Sequence, residues 1–418
     1  MRKFPLNGYI LLLLPLLLVA CGRNQEELTI TPSISPDVSA LQVRTFDALW
    51  TEVNDRYIYD DFHGVDWEGV KAEYEGQVAS ADSETFAALM EEIVDLFPDN
   101  ALGYQTRAER LEDAITTSDT GTYEGIGAFV AAREGDNPRI LIMSVMPGSP
   151  AEAAGIRTHD SILAIDGEPL APDEGLAAVS RVRGPAGSDV ILTIRSPKEE
   201  PRDVTVSRGR VDRNVVNQLE VEVIEGNIGY FAFPPSTYER LFEDLQAGLQ
   251  LMFNDENVSS IILDLRAFRA SNFEFLQAMM ILFGNGNMGE FYTRETADPL
   301  IVEGRNLFGS QFIPMAILVG QDTISFAEVF AAAMQGIERA TIIGSTTPGE
   351  VESPQTIFLP NGDQMFMTTI GYRTVDGQDI GLLGLEPDIE VAADWDEVRP
   401  GDDLVLETAV NHLQSNNP

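Results

Sequence analysis

The chain is poor in the residues that usually build catalytic and metal-binding centres. Its 418 residues include one cysteine, Cys21, and three histidines, His63, His159 and His412. Lysine occurs only at Lys3, Lys71 and Lys198, so residues 199–411 hold neither lysine nor histidine. A single cysteine excludes an intrachain disulfide framework. Without paired Cys or His positions there is no ligand set for zinc, and no metal or other cofactor is expected. Positive charge is also scarce. Twenty-seven Lys and Arg against 67 Asp and Glu give a formal charge of −40, a surface that repels nucleic acid and anionic head groups. The acids are spread along the chain rather than run together, which reads first as a solubility trait. After Ala20 no apolar run is long enough to cross a bilayer.

What is present begins with a targeting segment. Arg2 and Lys3 precede the apolar stretch Tyr9–Ala20, which is short for a membrane span. Leu18-Val19-Ala20-Cys21 resembles a lipobox, so residues 1–21 are expected to be a lipoprotein signal and Cys21 the lipidated N-terminus of the mature protein. Residues 22–40, rich in polar residues and proline with few large apolar side chains, read as a flexible tether. The expected location is the cell envelope, outside the cytoplasm, with membrane attachment through Cys21.

The remainder suggests two or three domains. Residues 41–115 look helical: Phe46, Leu49, Trp50, Val53 and Tyr57 recur at spacings of three and four, and Phe86, Leu89, Met90, Ile93 and Val94 mark another buried face. Residues 118–208 change to short strands and turns, including an Asp166-Gly167 turn between two strand-like runs. The run PGSPAEAAGI (Pro147–Ile156) followed by DSILAIDGEPL (Asp160–Leu170) resembles a bacterial PDZ domain. Its matching peptide-binding loop is Gly125-Ile126-Gly127-Ala128, where glycines let consecutive N–H groups meet a terminal carboxylate. Residues 220–415 alternate strand and helix, which implies crossover connections and a mixed, partly parallel sheet covered by helices. Ligands in such folds sit at the carboxyl ends of the strands, here Arg266, Gly320–Ser325 and Gly344–Glu350.

The order of these parts resembles the C-terminal processing peptidases, or tail-specific proteases, over about residues 41–415. IILDLR (Ile261–Arg266), LVGQDTISFAEVFAAAMQ (Leu318–Gln335), ATIIGSTTPGE (Ala340–Glu350) and GYRTVDGQDIGLLGLEPDIEV (Gly371–Val391) carry the likeness. The resemblance implies a multidomain α+β and α/β chain: an N-terminal helical region, a PDZ domain, then a mixed-sheet, crotonase-like peptidase domain. It implies capture of substrate C-terminal tails by the PDZ domain and cleavage by a Ser–Lys dyad. The family nucleophile maps onto Ser325. The Phe326 N–H is one expected oxyanion donor, and the loop after Asp264-Leu265-Arg266 supplies the other, taken as Ala270.

This sequence departs from that pattern. Twenty-five residues after Ser325, where the family lysine is expected, stands Glu350. The loop after DLR reads Ala267-Phe268-Arg269-Ala270-Ser271 rather than a glycine-rich turn. Relatives with a Ser–His–Glu site carry a histidine before the PDZ domain, but Leu96–Tyr104 has none; His63 lies upstream, while His159 and His412 are expected to face solvent. Two readings of the serine stay open. Ser325-Phe326-Ala327-Glu328 fits a capping box, and it also fits a nucleophile served by a buried carboxylate, Glu350 or Glu352, with raised pKa. Arg266 and Arg269 cannot act as bases, though either can hold a carboxylate. The expected activity is serine-type proteolysis of proteins with exposed C-terminal tails; the alternative is an inactive adaptor that binds tails without cutting. The oligomeric state is not legible.

Overall fold

The computed structural model describes residues 35–97, 101–116, 122–212, 215, 217–254, 258–351, 354–381, 383–399 and 401–416. Cys21, the signal and most of the tether therefore lie outside the described residues. The last part of the expected tether does not. A helix runs Pro36–Arg56, with Ser35 as its N-cap and proline in its first turn, a position where the missing N–H costs nothing. The helical region thus starts before residue 41.

Two further helices, Trp67–Ser80 and Ser83–Val94, each begin at an aspartate cap, Asp66 and Asp82. Their apolar faces enclose Phe46, Leu49, Val53, Tyr57, Trp67 and Met90. This region is not helical throughout, nor is it separate. The strand Leu102–Gln105 pairs with Gln364–Thr368, which forms a hairpin with Pro354–Phe358. Met365 and Met367 from that hairpin complete the helical core.

The PDZ-like part is an antiparallel sheet of Ala128–Arg133, Arg139–Val145, Ser161–Ile165, Asp189–Arg195 and Arg202–Ser207. A further pair, Thr122–Gly125 with Gly209–Asp212, extends it beyond residue 208. Alternate strand residues, including Ile140, Ile142, Ile162, Val190, Leu192 and Ile194, fill its core, as the two-residue period of a strand requires.

The third part is a six-stranded sheet. Ile228–Ala232, Ser260–Asp264, Met315–Val319, Thr341–Gly344 and Ile389–Glu390 are parallel, and Glu220–Ile224 closes one edge antiparallel. Helices Leu241–Asn254, Phe273–Phe283 and Phe326–Gly336 cover one face, and Leu404–Asn416 covers the other. Burial on both faces explains why Ile261–Leu263 and Met315–Val319 are continuous apolar runs.

The PDZ sheet docks on this layer through charge. Arg133 pairs with Asp322 at 2.6 Å and with Asp394 at 3.2 Å. Arg139 pairs with Asp396 at 2.9 Å, and Arg195 reaches the same carboxylate at 2.8 Å. Two arginines hold the Asp396 carboxyl below its usual range even though burial acts the other way. Leu141, Met143 and Ala131 pack on Ala267 beside these pairs. Removing one member of such a group leaves buried charge uncompensated. Asp396→Ala is expected to lower the unfolding free energy by about 3 kcal/mol and to expose the PDZ part to proteolysis first, as measured by urea titration and limited trypsin digestion.

Candidate active site

The turn that carries Ser325 follows the strand Met315–Val319. Thr323 fixes it. The Gly320 N–H donates to Thr323 Oγ1 at 3.0 Å, and that hydroxyl donates to the Leu265 carbonyl at 2.9 Å. Ser325 then adopts φ 63° and ψ −129°. A side-chain-bearing residue there is strained, by roughly 1–3 kcal/mol, and persists only where its surroundings impose it. Those surroundings are a short parallel pairing in which Arg269 lies beside Ile324 and Ala270 beside Ser325. The Ile324 N–H donates to the Phe268 carbonyl at 3.2 Å. The helix Phe326–Gly336 starts at once, so Phe326 N–H is among the amides that a helix N-terminus leaves unsatisfied.

The structure therefore brings together Ser325, Phe326 and Ala270, with Ser325 half-buried and Ala270 buried. Glu350 follows Gly349 in the loop after the strand Thr341–Gly344. It is half-buried; burial raises its carboxyl above the usual range, Arg269 opposes this and Asp322 adds to it. Glu352 lies outside the described residues. Arg269 pairs with Asp322 at 3.5 Å. Arg266 is buried against Asp264 and Asp403, at 2.6 and 2.7 Å, and so ties the strand end to the segment before the last helix.

Glu328 was legible in sequence only as a capping partner. Its carboxylate does accept the Ser325 N–H, at 3.2 Å, but it also accepts the Gly349 N–H at 2.7 Å and is wholly buried. Burial, with a smaller push from Glu350, moves its pKa up to about 7 against hydrogen bonds from Thr347, Gly349 and Ser325. The Ser-x-x-Glu spacing was the available signal; the burial depends on residues 347–349, which no local pattern reveals.

The histidines stand elsewhere. His63 is exposed, with its ring 4.4 Å from that of Tyr59. His159 is not solvent-facing as expected: its ring lies 4.1 Å from Trp395 and its Nδ1 is 2.9 Å from the Trp395 carbonyl. Burial lowers its pKa. His412 is also partly buried, with Nε2 2.9 Å from Thr341 Oγ1. Both are held by partners distant in sequence. Among the described residues no group of His, Cys, Asp or Glu could hold a metal ion.

Gly125, Ile126, Gly127 and Ala128 line a groove of about 530 Å³ together with Val130, Ile140, Val179 and Val182. Ser236 and Thr237, from the third part, complete its wall. Ser236 bridges to Arg269 in parallel, so the groove wall adjoins the loop beside Ser325.

A PDZ-like sheet joined to an α/β part with a strained serine at a strand-to-helix turn fits a peptidase-type architecture, and domain comparison finds one. Peptidase family S41 matches residues 227–391, the PDZ domain 141–196 and the Tricorn protease C1 domain 44–95. Residues 227–391 thus match a peptidase family, and the chain as a whole is similar to carboxyl-terminal-processing proteases. The carboxyl-terminal-processing protease of Picosynechococcus sp. is 28% identical over 351 residues, covering 81% of this chain and 80% of that one. The carboxy-terminal-processing protease of Bartonella bacilliformis is 29% identical over 306 residues, covering 72% and 68%. The fold is shared with the photosystem II D1 C-terminal processing protease, at 21% identity and a TM-score of 0.66 over 91% of this chain and 98% of that one.

Glu328 makes stability pH-dependent in a definite direction. Its native pKa of about 7 lies above the ordinary 4.5, so the native state holds the proton more tightly than the unfolded chain. That contribution is complete below pH 4.5 and is lost as pH rises through about 7. Across this window it amounts to roughly 3 kcal/mol, at about 1.4 kcal/mol per unit. In urea titrations over this range, Glu328→Gln is expected to gain stability relative to wild type by roughly that amount as pH rises. A constant difference between the two would refute the assignment.

Proposed function

We propose that this chain is a lipid-anchored serine peptidase of the cell envelope that captures protein C-termini in its PDZ groove and cleaves them at Ser325. The observation that carries this reading is the strained Ser325 backbone, imposed at a helix start and paired with the loop expected to supply an oxyanion donor. Nucleophiles are held at such turns so that the hydroxyl meets substrate beside free helix amides.

Ser325 Oγ attacks the scissile carbonyl carbon while its proton passes to a carboxylate. The tetrahedral oxyanion is met by Phe326 N–H and by the loop around Ala270, donors whose individual loss typically costs ~10²–10³ in rate. The carboxylate returns the proton to the leaving amine, and water then hydrolyses the acyl-serine. Glu350 is assigned as this base, with Glu352 as the alternative carboxylate in the same loop. Burial supports Glu350, because it raises the carboxyl towards the range where a general base works best. Lipidation at Cys21 would anchor the enzyme, and residues 22–35 would tether it.

Ser325→Ala is expected to abolish cleavage of an unfolded protein with an apolar C-terminal tail, and fluorophosphonate labelling of the protein with it. Tail binding without any Ser325-dependent cleavage would establish the adaptor reading instead. Groove function is tested separately. A Cβ at Gly127 would lie 2.4 Å from Ser149 Cβ, and φ there is +79°. Gly127→Val is therefore expected to weaken binding of a fluorescent apolar-tail peptide at least tenfold, about 1.4 kcal/mol, as read by anisotropy, while leaving Ser325 labelling intact.

A further inference from the structure

Glu328 has no role in the chemistry above, yet its carboxylate meets both halves of the site. Oε2 accepts from Ser325 N–H and Oε1 from Gly349 N–H, the residue before Glu350. Thr347 supplies a third hydrogen bond; its hydroxyl oxygen already accepts the Leu385 N–H at 2.8 Å, which leaves the hydroxyl proton for Glu328.

We propose that Glu328 is a positioning residue, a proton-operated strut that joins the nucleophile turn to the loop carrying Glu350. This rests on the reading of Ser325 as nucleophile and Glu350 as base. An ionised carboxylate only accepts hydrogen bonds, and it satisfies all three donors. Protonation turns one oxygen into a donor and removes the charge that strengthens the N–H bonds, so the strut is weakened. The ionised form thus fixes the spacing between Ser325 and Glu350, and the neutral form relaxes it. Burial makes the change fall near neutrality, at about pH 7. The charged groups on this side of Glu328 are Glu350 on the joined loop and, around Glu350, Arg269 on the loop after Arg266 and Asp322 on the nucleophile turn. Glu350 reinforces the shift, and Arg269 moderates Glu350.

The test is amide hydrogen exchange by mass spectrometry on the full chain, wild type and Glu328→Gln, on both sides of pH 7. Intrinsic exchange rates are divided out, and fluorophosphonate labelling is measured in parallel. In wild type, protection of the segments holding Ser325 and Gly349 is expected to fall roughly tenfold on going below pH 7, and the labelling rate is expected to fall with it. In Glu328→Gln both segments should show the low protection at every pH, with the strand Ser260–Asp264 unchanged. If the variant loses protection everywhere, the wild-type pH series decides alone. Flat protection in wild type overturns the strut, whether or not Ser325 is labelled. Protection that follows pH without labelling at any pH upholds the strut and overturns Ser325 as a reactive nucleophile.

Discussion

Two residues of backbone, Arg269 and Ala270, run parallel to Ile324 and Ser325, and the shape of the site hangs on that short ladder. It holds Ser325 at a positive φ that the residue would not adopt alone. It joins the ends of two neighbouring parallel strands, so the register of the large sheet sets where the hydroxyl stands. It is also tied to the PDZ part at two points, the first through a residue of the third part that lines the PDZ groove. Ser236, on the groove wall, bridges to Arg269, and Arg133 of the PDZ sheet grips Asp322, three residues before the serine. A change in either neighbour therefore reaches Ser325 through backbone and buried charge rather than through flexible side chains.

The acidic composition has a structural counterpart at these joints. Arg133, Arg139 and Arg266 are each largely buried and each paired with more than one aspartate. Arg133 and Arg139 lie where the PDZ sheet meets the core, and Arg266 lies within the core part. Buried pairs of this kind contribute little net stability compared with apolar packing, but losing one partner is costly. They therefore fix the orientation of the PDZ sheet on the core more than they strengthen the fold.

Much of this was legible in the sequence, for physical reasons. Periodicity exposed the strands Ser260–Asp264 and Met315–Val319 and the helices around Phe46 and Phe86, because each buries one face or two. Turn chemistry exposed the PDZ run. Other features were hidden because they depend on partners far along the chain. The strand Leu102–Gln105 finds its neighbour at Gln364–Thr368. His159 and His412 looked solvent-facing because their own segments are polar, while Trp395 and Thr341 cover them from elsewhere. The start of the first helix at Pro36 was missed because a proline- and serine-rich stretch reads as tether, although proline in a helix's first turn is favourable. The serine was legible as a strand-to-helix residue; its strain was not, since that comes from a ladder with residues 269–270.

Glu350, where the sequence resemblance leads one to expect a lysine, looks at first like a loss of function, because the two side chains carry opposite charge. Desolvation reverses that impression. It always disfavours the charged form, so it lowers the pKa of a lysine and raises that of a glutamate, and both move towards neutrality. A proton acceptor works best when its pKa lies near the working pH. A half-buried loop can thus prepare either residue by the same physical means. What changes is the charge once the proton has moved. A neutral lysine becomes a cation as it takes the proton, whereas an ionised Glu350, on the proposed reading, becomes neutral and leaves no positive charge to face the oxyanion. Arg269, from the loop that replaces the usual glycine-rich turn, lies close enough to lower the Glu350 pKa, and its positive charge offsets that cost. On the proposed reading, Glu350 and Arg269 are therefore electrostatically complementary.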